Sequence, residues 1–258
     1  MSLLALETST AWPSTAVVDA AGAVLGSSGA TEGPRQTRRL LEGVHEALTK
    51  AGVELTDLDT VVCGLGPGTF TGLRIGVATA RALAQAAGLE VGGVPTLEAL
   101  ARGLAAGEPG ASADTFVPLV DGRRGEVFAA VYERQAARRP AEGAGGERWP
   151  ELREAVPLTV VRADDLSDFL SLRPGAVTGG DGAVLYADRL PAALVHDAAV
   201  AAPTALMVAR TWLAGPVDLR RGLSDTFPLY GRRPDARPAA PPPERPSAGP
   251  ATPPASHP

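Results

Sequence analysis

Four glycines fall within nine residues of one another, Gly64, Gly66, Gly68 and Gly72. They follow an apolar run, Val61-Val62-Cys63, and lead into Thr71-Gly72-Leu73-Arg74-Ile75-Gly76-Val77, where a helix can begin. A strand, a glycine loop and a helix start can cradle an anion, because the first helical amides lack partners and point outward. The same arrangement makes a tight structural corner, since glycine admits positive φ and close approach of another backbone. Both readings stand at this level, and the residues favour the corner. No Lys-Ser/Thr pair follows the loop, so it is not a Walker A motif. It also fails as a dinucleotide fingerprint: a third glycine at the required spacing is missing, and Glu90 precedes the next apolar run instead of ending it.

Other reactive types are sparse. Glu7-Thr8-Ser9 places a carboxylate and two hydroxyls after Leu3 to Leu6, but one carboxylate cannot build an active site and the hydroxyls also suit a turn. Gly179-Gly180-Asp181-Gly182 is a second glycine turn. Asp121 and Glu126 form no defensible acid/base pair. His45, His196 and His257 make no HxxxH or HExxH pair, so no metal site is expected. The single cysteine, Cys63, has no disulfide partner within the chain and reads as core.

The elements that must position these residues read as follows. Leu3 to Leu6, Thr15 to Val18 and Ala23 to Gly26 form a three-stranded meander. A first helix runs from about Arg35 to Ala51, with Leu40, Leu41, Val44 and Leu48 as its apolar stripe and Gly52 as its stop. After the central strand and glycine loop, a second helix runs to about Ala87, with Gly88 as its stop. A strand from Glu90 to Val94 and a helix opened by Pro95 complete a first lobe, 1–106. A second lobe, 113–231, begins with strands Phe116 to Val120 and Glu126 to Tyr132, joined by the hairpin Asp121 to Gly125. Within it, 136–154 reads as a mobile insertion. Strands follow at Leu158 to Val161, Ala176 to Thr178 and Leu194-Val195, with helices at Ala163 to Leu170 and Pro203 to Leu213. The stretch 232–258 holds ten prolines in 27 residues and is expected to be disordered.

The chain of 258 residues is 45% hydrophobic with a formal net charge of −5, enough for one large domain or two small ones with real cores. That acidity argues against nucleic-acid binding by this chain alone. Leu3 to Leu6 is too short for a signal-peptide core, and no uncharged stretch reaches membrane-spanning length, so a cytoplasmic protein is expected.

With Glu7-Thr8-Ser9, Gly66-Pro67-Gly68-Thr69-Phe70-Thr71-Gly72-Leu73-Arg74-Ile75-Gly76, Asp121-Gly122-Arg123-Arg124-Gly125-Glu126-Val127-Phe128 and Pro228-Leu229-Tyr230 in view, residues 1 to about 231 resemble the TsaB (YeaZ) family. The resemblance implies the two-lobed α/β fold of the acetokinase/sugar kinase/Hsp70/actin superfamily, ribonuclease H-like, with a mixed five-stranded sheet in the first lobe. It implies a non-catalytic subunit that binds TsaD, the enzyme that transfers threonylcarbamoyl to the adenosine beside the tRNA anticodon, together with the ATPase TsaE. tRNA is then met only through the complex, and two copies pair when TsaD is absent. The family lacks its partner's metal-binding histidine pair, as does this chain. No cofactor is implied for the chain itself; ATP is admitted only at a subunit junction. One departure stands out: where relatives carry Arg-x-His-Ser-Glu before the first helix, this chain has Arg35-Gln36-Thr37-Arg38-Arg39.

The resemblance places the partner on the first two helices. Gly72, Gly76, Ala80 and Ala84 form a ridge of small residues at i+4 spacing, which allows close helix approach. The expected interface is Leu40, Leu41, Val44, Leu48, Leu73, Arg74, Gly76 and Val77. Phosphate or nucleotide contacts are expected, if anywhere, at Glu7, Thr8, Ser9, Gly179, Gly180 and Asp181. No catalytic residue is expected. The alternatives are an actin-fold small-molecule kinase or carbamoyltransferase, which needs a second catalytic acid and an intact cleft, and a metalloprotease, which needs the absent histidines.

Overall fold

Two five-stranded sheets with the same plan make up the structure, a computed structural model that describes residues 1–29, 39–135, 149–215 and 226–231. In the first, β1 (Ser2–Glu7), β2 (Ser14–Asp19) and β3 (Val24–Ser28) form an antiparallel meander. Next come α1 (Leu40–Ala51), β4 (Thr60–Gly64), α2 (Phe70–Ala87), β5 (Glu90–Val94) and α3 (Thr96–Ala106). β4 and β5 continue the sheet in parallel with β1, giving the order β3-β2-β1-β4-β5. The second half repeats the scheme. A meander of β6 (Thr115–Arg123), β7 (Glu126–Arg134) and β8 (Leu152–Arg162) is followed by α4 (Leu166–Ser171), β9 (Val177–Gly179), α5 (Asp181–Leu185), β10 (Val195–His196) and α6 (Ala205–Ala214). Its order is β10-β9-β6-β7-β8. This is the expected two-lobed α/β architecture, with a mixed five-stranded sheet in the first lobe.

Strand periodicity divides the first sheet into two faces. Leu4, Leu6, Val17, Val61 and Cys63 point to α1 and α2, which bury Val44, Ala47, Val77, Ala80 and Ala84 against them. Leu3, Ala5, Val18 and Val62 point the other way, onto Ala205, Val208, Ala209 and Trp212 of α6. α3 lies between the lobes and packs Leu97, Leu100 and Leu104 on Phe116, Phe128 and Val177 of the second sheet. α6, from the second half of the chain, thus covers the first sheet. Both α1 and α2 end at left-handed glycines, Gly52 and Gly88 (φ 68° each), whose amides close the last turn.

Some expectations need correction. β8 begins at Leu152, so the last residues of the 136–154 stretch belong to a strand; residues 136–148 lie outside the described part, as do 232–258 and the first turn expected at Arg35 to Arg38. α5 follows the second glycine turn directly, which makes it a strand-to-helix turn. The β6–β7 hairpin is present, with Arg123, Arg124 and Gly125 all left-handed at its tip (φ 64°, 56° and 75°). Among the described residues, no helix is long and apolar enough to cross a membrane.

Candidate functional site

The glycine loop is packed shut. Its backbone lies on the Thr8–Thr10 turn: the Thr69 amide donates to Ser9 O at 2.6 Å, and Thr8 Oγ1 donates to Gly72 O at 2.9 Å. A Cβ at residue 72 would run into Thr8 O, and one at residue 76 into Thr8 Oγ1. Close approach of the Thr8 turn, backbone at Gly72 and side chain at Gly76, requires glycine here.

Glu7 sits beneath this corner with no exposed surface. Its Oε1 accepts from the Ser9 amide at 2.6 Å and its Oε2 from Thr96 Oγ1 at 3.2 Å, while Thr96 Oγ1 accepts from the Gly66 amide at 3.1 Å. Burial pushes the carboxyl above its ordinary range, and the hydrogen bonds from Ser9, Thr96 and Thr8 oppose that shift only in part. The Cys63 thiol is likewise pushed up, first by burial and then by Glu7, so it is no nucleophile. Glu7, Thr8 and Ser9 were expected to face phosphate if one were bound. The structure turns all three inward and engages the Glu7 carboxylate and the Thr8 hydroxyl with their own chain.

The second glycine turn is also internal. Gly180 has φ 104°, its amide donates to Val200 O at 2.7 Å, and a side chain there would meet Leu119 O. A side chain at Gly179 would lie 2.7 Å from Leu104 Cδ2 and 2.9 Å from Val200 O. Asp181 Oδ1 accepts from the Asp121 amide at 3.1 Å, and Asp121 binds the Arg123 amide at 2.8 Å and its guanidinium at 3.2 Å. Burial, aided by the Asp121 charge, pushes the Asp181 carboxyl up to about 6. These groups brace the β6–β7 hairpin against α5. Among the described residues, no group of three His, Cys, Asp or Glu side chains is placed to hold a metal.

The outward side of α2 differs in character. Of the eight expected interface residues, Leu40, Val44, Leu73, Gly76 and Val77 are buried in their own lobe, and Leu48 is half-buried there. The small-residue ridge therefore serves α2's own seat on β1 and β4, because backbone at Thr8 and strand side chains fill the space its glycines and alanines leave. Leu41, at 60% exposure, and Arg74 remain outside. Arg74 is not free to wave: its guanidinium lies 3.7 Å from the Phe70 ring centroid, and its Nε donates to Tyr230 Oη at 3.0 Å. Phe70 and Tyr230 are 5.3 Å apart, ring to ring. Two turns along, Arg81 stacks on Phe227 at 5.1 Å and donates to Thr226 O. Phe70, Phe227 and Tyr230 are all exposed, three of only eleven aromatic residues in the chain. Aromatic and arginine side chains held rigid on a surface have the composition of interface anchors. The sequence reading missed the three rings; the i, i+4 spacing of Phe70 and Arg74 was the available signal.

The family model described as TsaD, tRNA N6-adenosine threonylcarbamoyltransferase, matches residues 34–157. An uncharacterized protein of Mycobacterium tuberculosis is 34% identical over 217 residues, covering 84% of each chain. The tRNA threonylcarbamoyladenosine biosynthesis protein TsaB of Escherichia coli is 43% identical over 102 residues, 39% of this chain and 43% of that protein. YeaZ from Pseudomonas aeruginosa superposes with a TM-score of 0.67 at 27% identity, over 89% of this chain and 99% of that one. Local identity to TsaB proteins, whole-length likeness to the YeaZ structure and the packed glycine corner agree, and the chain belongs to the TsaB (YeaZ) family.

Proposed function

We propose that this chain is the non-catalytic subunit of the complex that forms threonylcarbamoyladenosine beside the tRNA anticodon. It acts in the cytoplasm, binds TsaD through the outward faces of α1 and α2, and is joined by TsaE. tRNA is contacted through the assembled complex, and without TsaD the same faces pair two copies of the chain. The observation that carries this reading is the contrast between two sites. The position where an actin-fold enzyme holds phosphate is filled by its own backbone around a buried Glu7. The exposed side of α2 holds Arg74 between two rings, ready for a protein partner.

The test is co-purification with the cognate TsaD, followed by nucleoside analysis of tRNA treated with TsaD and TsaE, with and without this chain. Modified adenosine is expected only when the chain is present, and the chain alone should neither modify tRNA nor turn over ATP. Modification at full rate without it, or ATP turnover by the pure chain abolished by Glu7→Ala, overturns the reading.

A further inference from the structure

We propose that Thr226–Gly231 is a clasp that ties the second lobe to the glycine-loop corner of the first, so that its release loosens both the corner and the angle between lobes. The segment runs antiparallel to α2. Its start is fixed at Arg81, through Thr226 O and the Phe227 ring, and Thr226 is fully buried. Its middle is fixed at the corner itself: the Leu229 amide donates to Leu65 O at 2.7 Å, and Leu229 packs on the first lobe's core. A side chain at Gly66 would stand 2.8 Å from Leu229 O, so the segment closes directly over the loop. Tyr230 is held by Arg74. One residue later the segment reaches the other lobe, where Gly231 lies so close to the Phe128 ring of β7 that any side chain at 231 would overlap it.

The geometry gives the two ends different strength. The first-lobe end has two hydrogen bonds to backbone carbonyls, one hydrogen bond between side chains, two guanidinium–ring contacts and a half-buried leucine. Among the described residues, the second-lobe end is the close approach of Gly231 to the Phe128 ring. A tie with one firm anchor and one light one yields first at the light end. The lobes also meet through the packing of α3 and α6, and packed helices can slide over one another in shear motions. The clasp lies where the N-terminus of α3 meets the corner, since the Thr96 amide donates to Gly66 O at 2.8 Å. From that position it governs how far the lobes part on the loop side. This inference does not depend on which partner the α2 face binds.

The test uses the full chain with spin labels on two exposed positions, one per lobe, His45→Cys in α1 and Asp168→Cys in α4; the native Cys63 is buried and escapes labelling. Interlobe distances are read by pulsed electron resonance, and amide exchange is read over residues 65–72. Gly231→Leu wedges the light end away from Phe128 and leaves every first-lobe anchor in place. It should broaden the distance distribution without lowering the melting temperature appreciably. Arg81→Ala with Tyr230→Ala loosens the firm end, and exchange over 65–72 should rise about tenfold. A narrow, unshifted distribution in the folded Gly231→Leu chain overturns the clasp. So does unchanged exchange in the double variant.

Discussion

Gly76→Ala separates the two roles that residue 76 could have, and the outcome follows from Thr8. A Cβ at 76 would overlap Thr8 Oγ1 and lie 3.2 Å from Thr8 Cβ. Thr8 must turn away, which breaks its buried hydrogen bond to Gly72 O. Leaving buried polar groups unpaired costs about 1–3 kcal/mol, and residual overpacking of a tight contact costs about 1–3 kcal/mol. Alanine in place of glycine inside a helix returns about 1 kcal/mol. The net loss is centred near 3 kcal/mol, which lowers the melting temperature by about 6–12 °C in a chain of this size. Thermal melts of Gly76→Ala, Thr8→Ala and the double variant close a mutant cycle. Because Thr8→Ala removes the overlapping hydroxyl, the double variant should recover at least about 1 kcal/mol relative to the sum of the singles. If Gly76→Ala melts like the parent and instead loses affinity for TsaD, residue 76 faces outward and the packing argument is wrong.

Arg74→Glu is the complementary change on the exposed face: it forfeits about 0.5–1 kcal/mol of guanidinium–ring attraction, so the melt should barely move, while titration against TsaD should show at least a tenfold weaker complex, about 1.4 kcal/mol. Asp181 gives a pH signature. Its carboxyl titrates near 6 in the fold against an ordinary 3.8, so the folded chain holds the proton more tightly, and the stability it contributes is full below about 4 and lost as pH rises through 6. Asp181→Asn should remove that slope and stabilise the chain at pH 7 by up to about 3 kcal/mol, read as melting temperature against pH; a slope that persists in the variant rejects the assignment. Glu7 has the same sign, being raised by burial, so Glu7→Gln should melt at or above the parent at neutral pH. Glu7→Ala strips the acceptor from the Ser9 amide and Thr96 Oγ1 and should cost about 1–3 kcal/mol.

The first lobe was legible because its elements carry their own punctuation. Val61-Val62-Cys63 is continuous apolar sequence because β4 lies mid-sheet and is buried on both faces. Gly52 and Gly88 mark helix ends because each takes a left-handed conformation that other residues resist. The crowding of glycines announced close backbone approach, and the corner reading of that loop matches the packing at Thr8 and Ser9. What approaches was beyond the sequence, since Thr8 lies 64 positions from Gly72. Leu40 and Leu41 read alike as stripe residues, yet neighbouring helical positions are turned apart by about 100° and only one can face the core. β8 was read too short because most of its residues are half-buried or exposed at the sheet edge, where apolar alternation fades.

The inverted reading of α2 has a general cause. A row of glycine and alanine records only that something comes close; it does not record whether that is the same chain or another. Here the near neighbour is the Thr8 turn, and once it has taken the small residues, the opposite side of α2 must supply any contact with a partner. That side is not a smooth apolar stripe, so helical periodicity does not reveal it. Its order comes from across the chain: Phe70 and Arg74 are locked by Tyr230, and Arg81 by Phe227, each more than 140 positions away. A short segment just before the proline-rich stretch thus stiffens the exposed side chains of a helix near the chain's beginning. Stiffening them before binding lowers the entropy lost on association, which is the physical reason for such a face to need both the helix and the segment that crosses it.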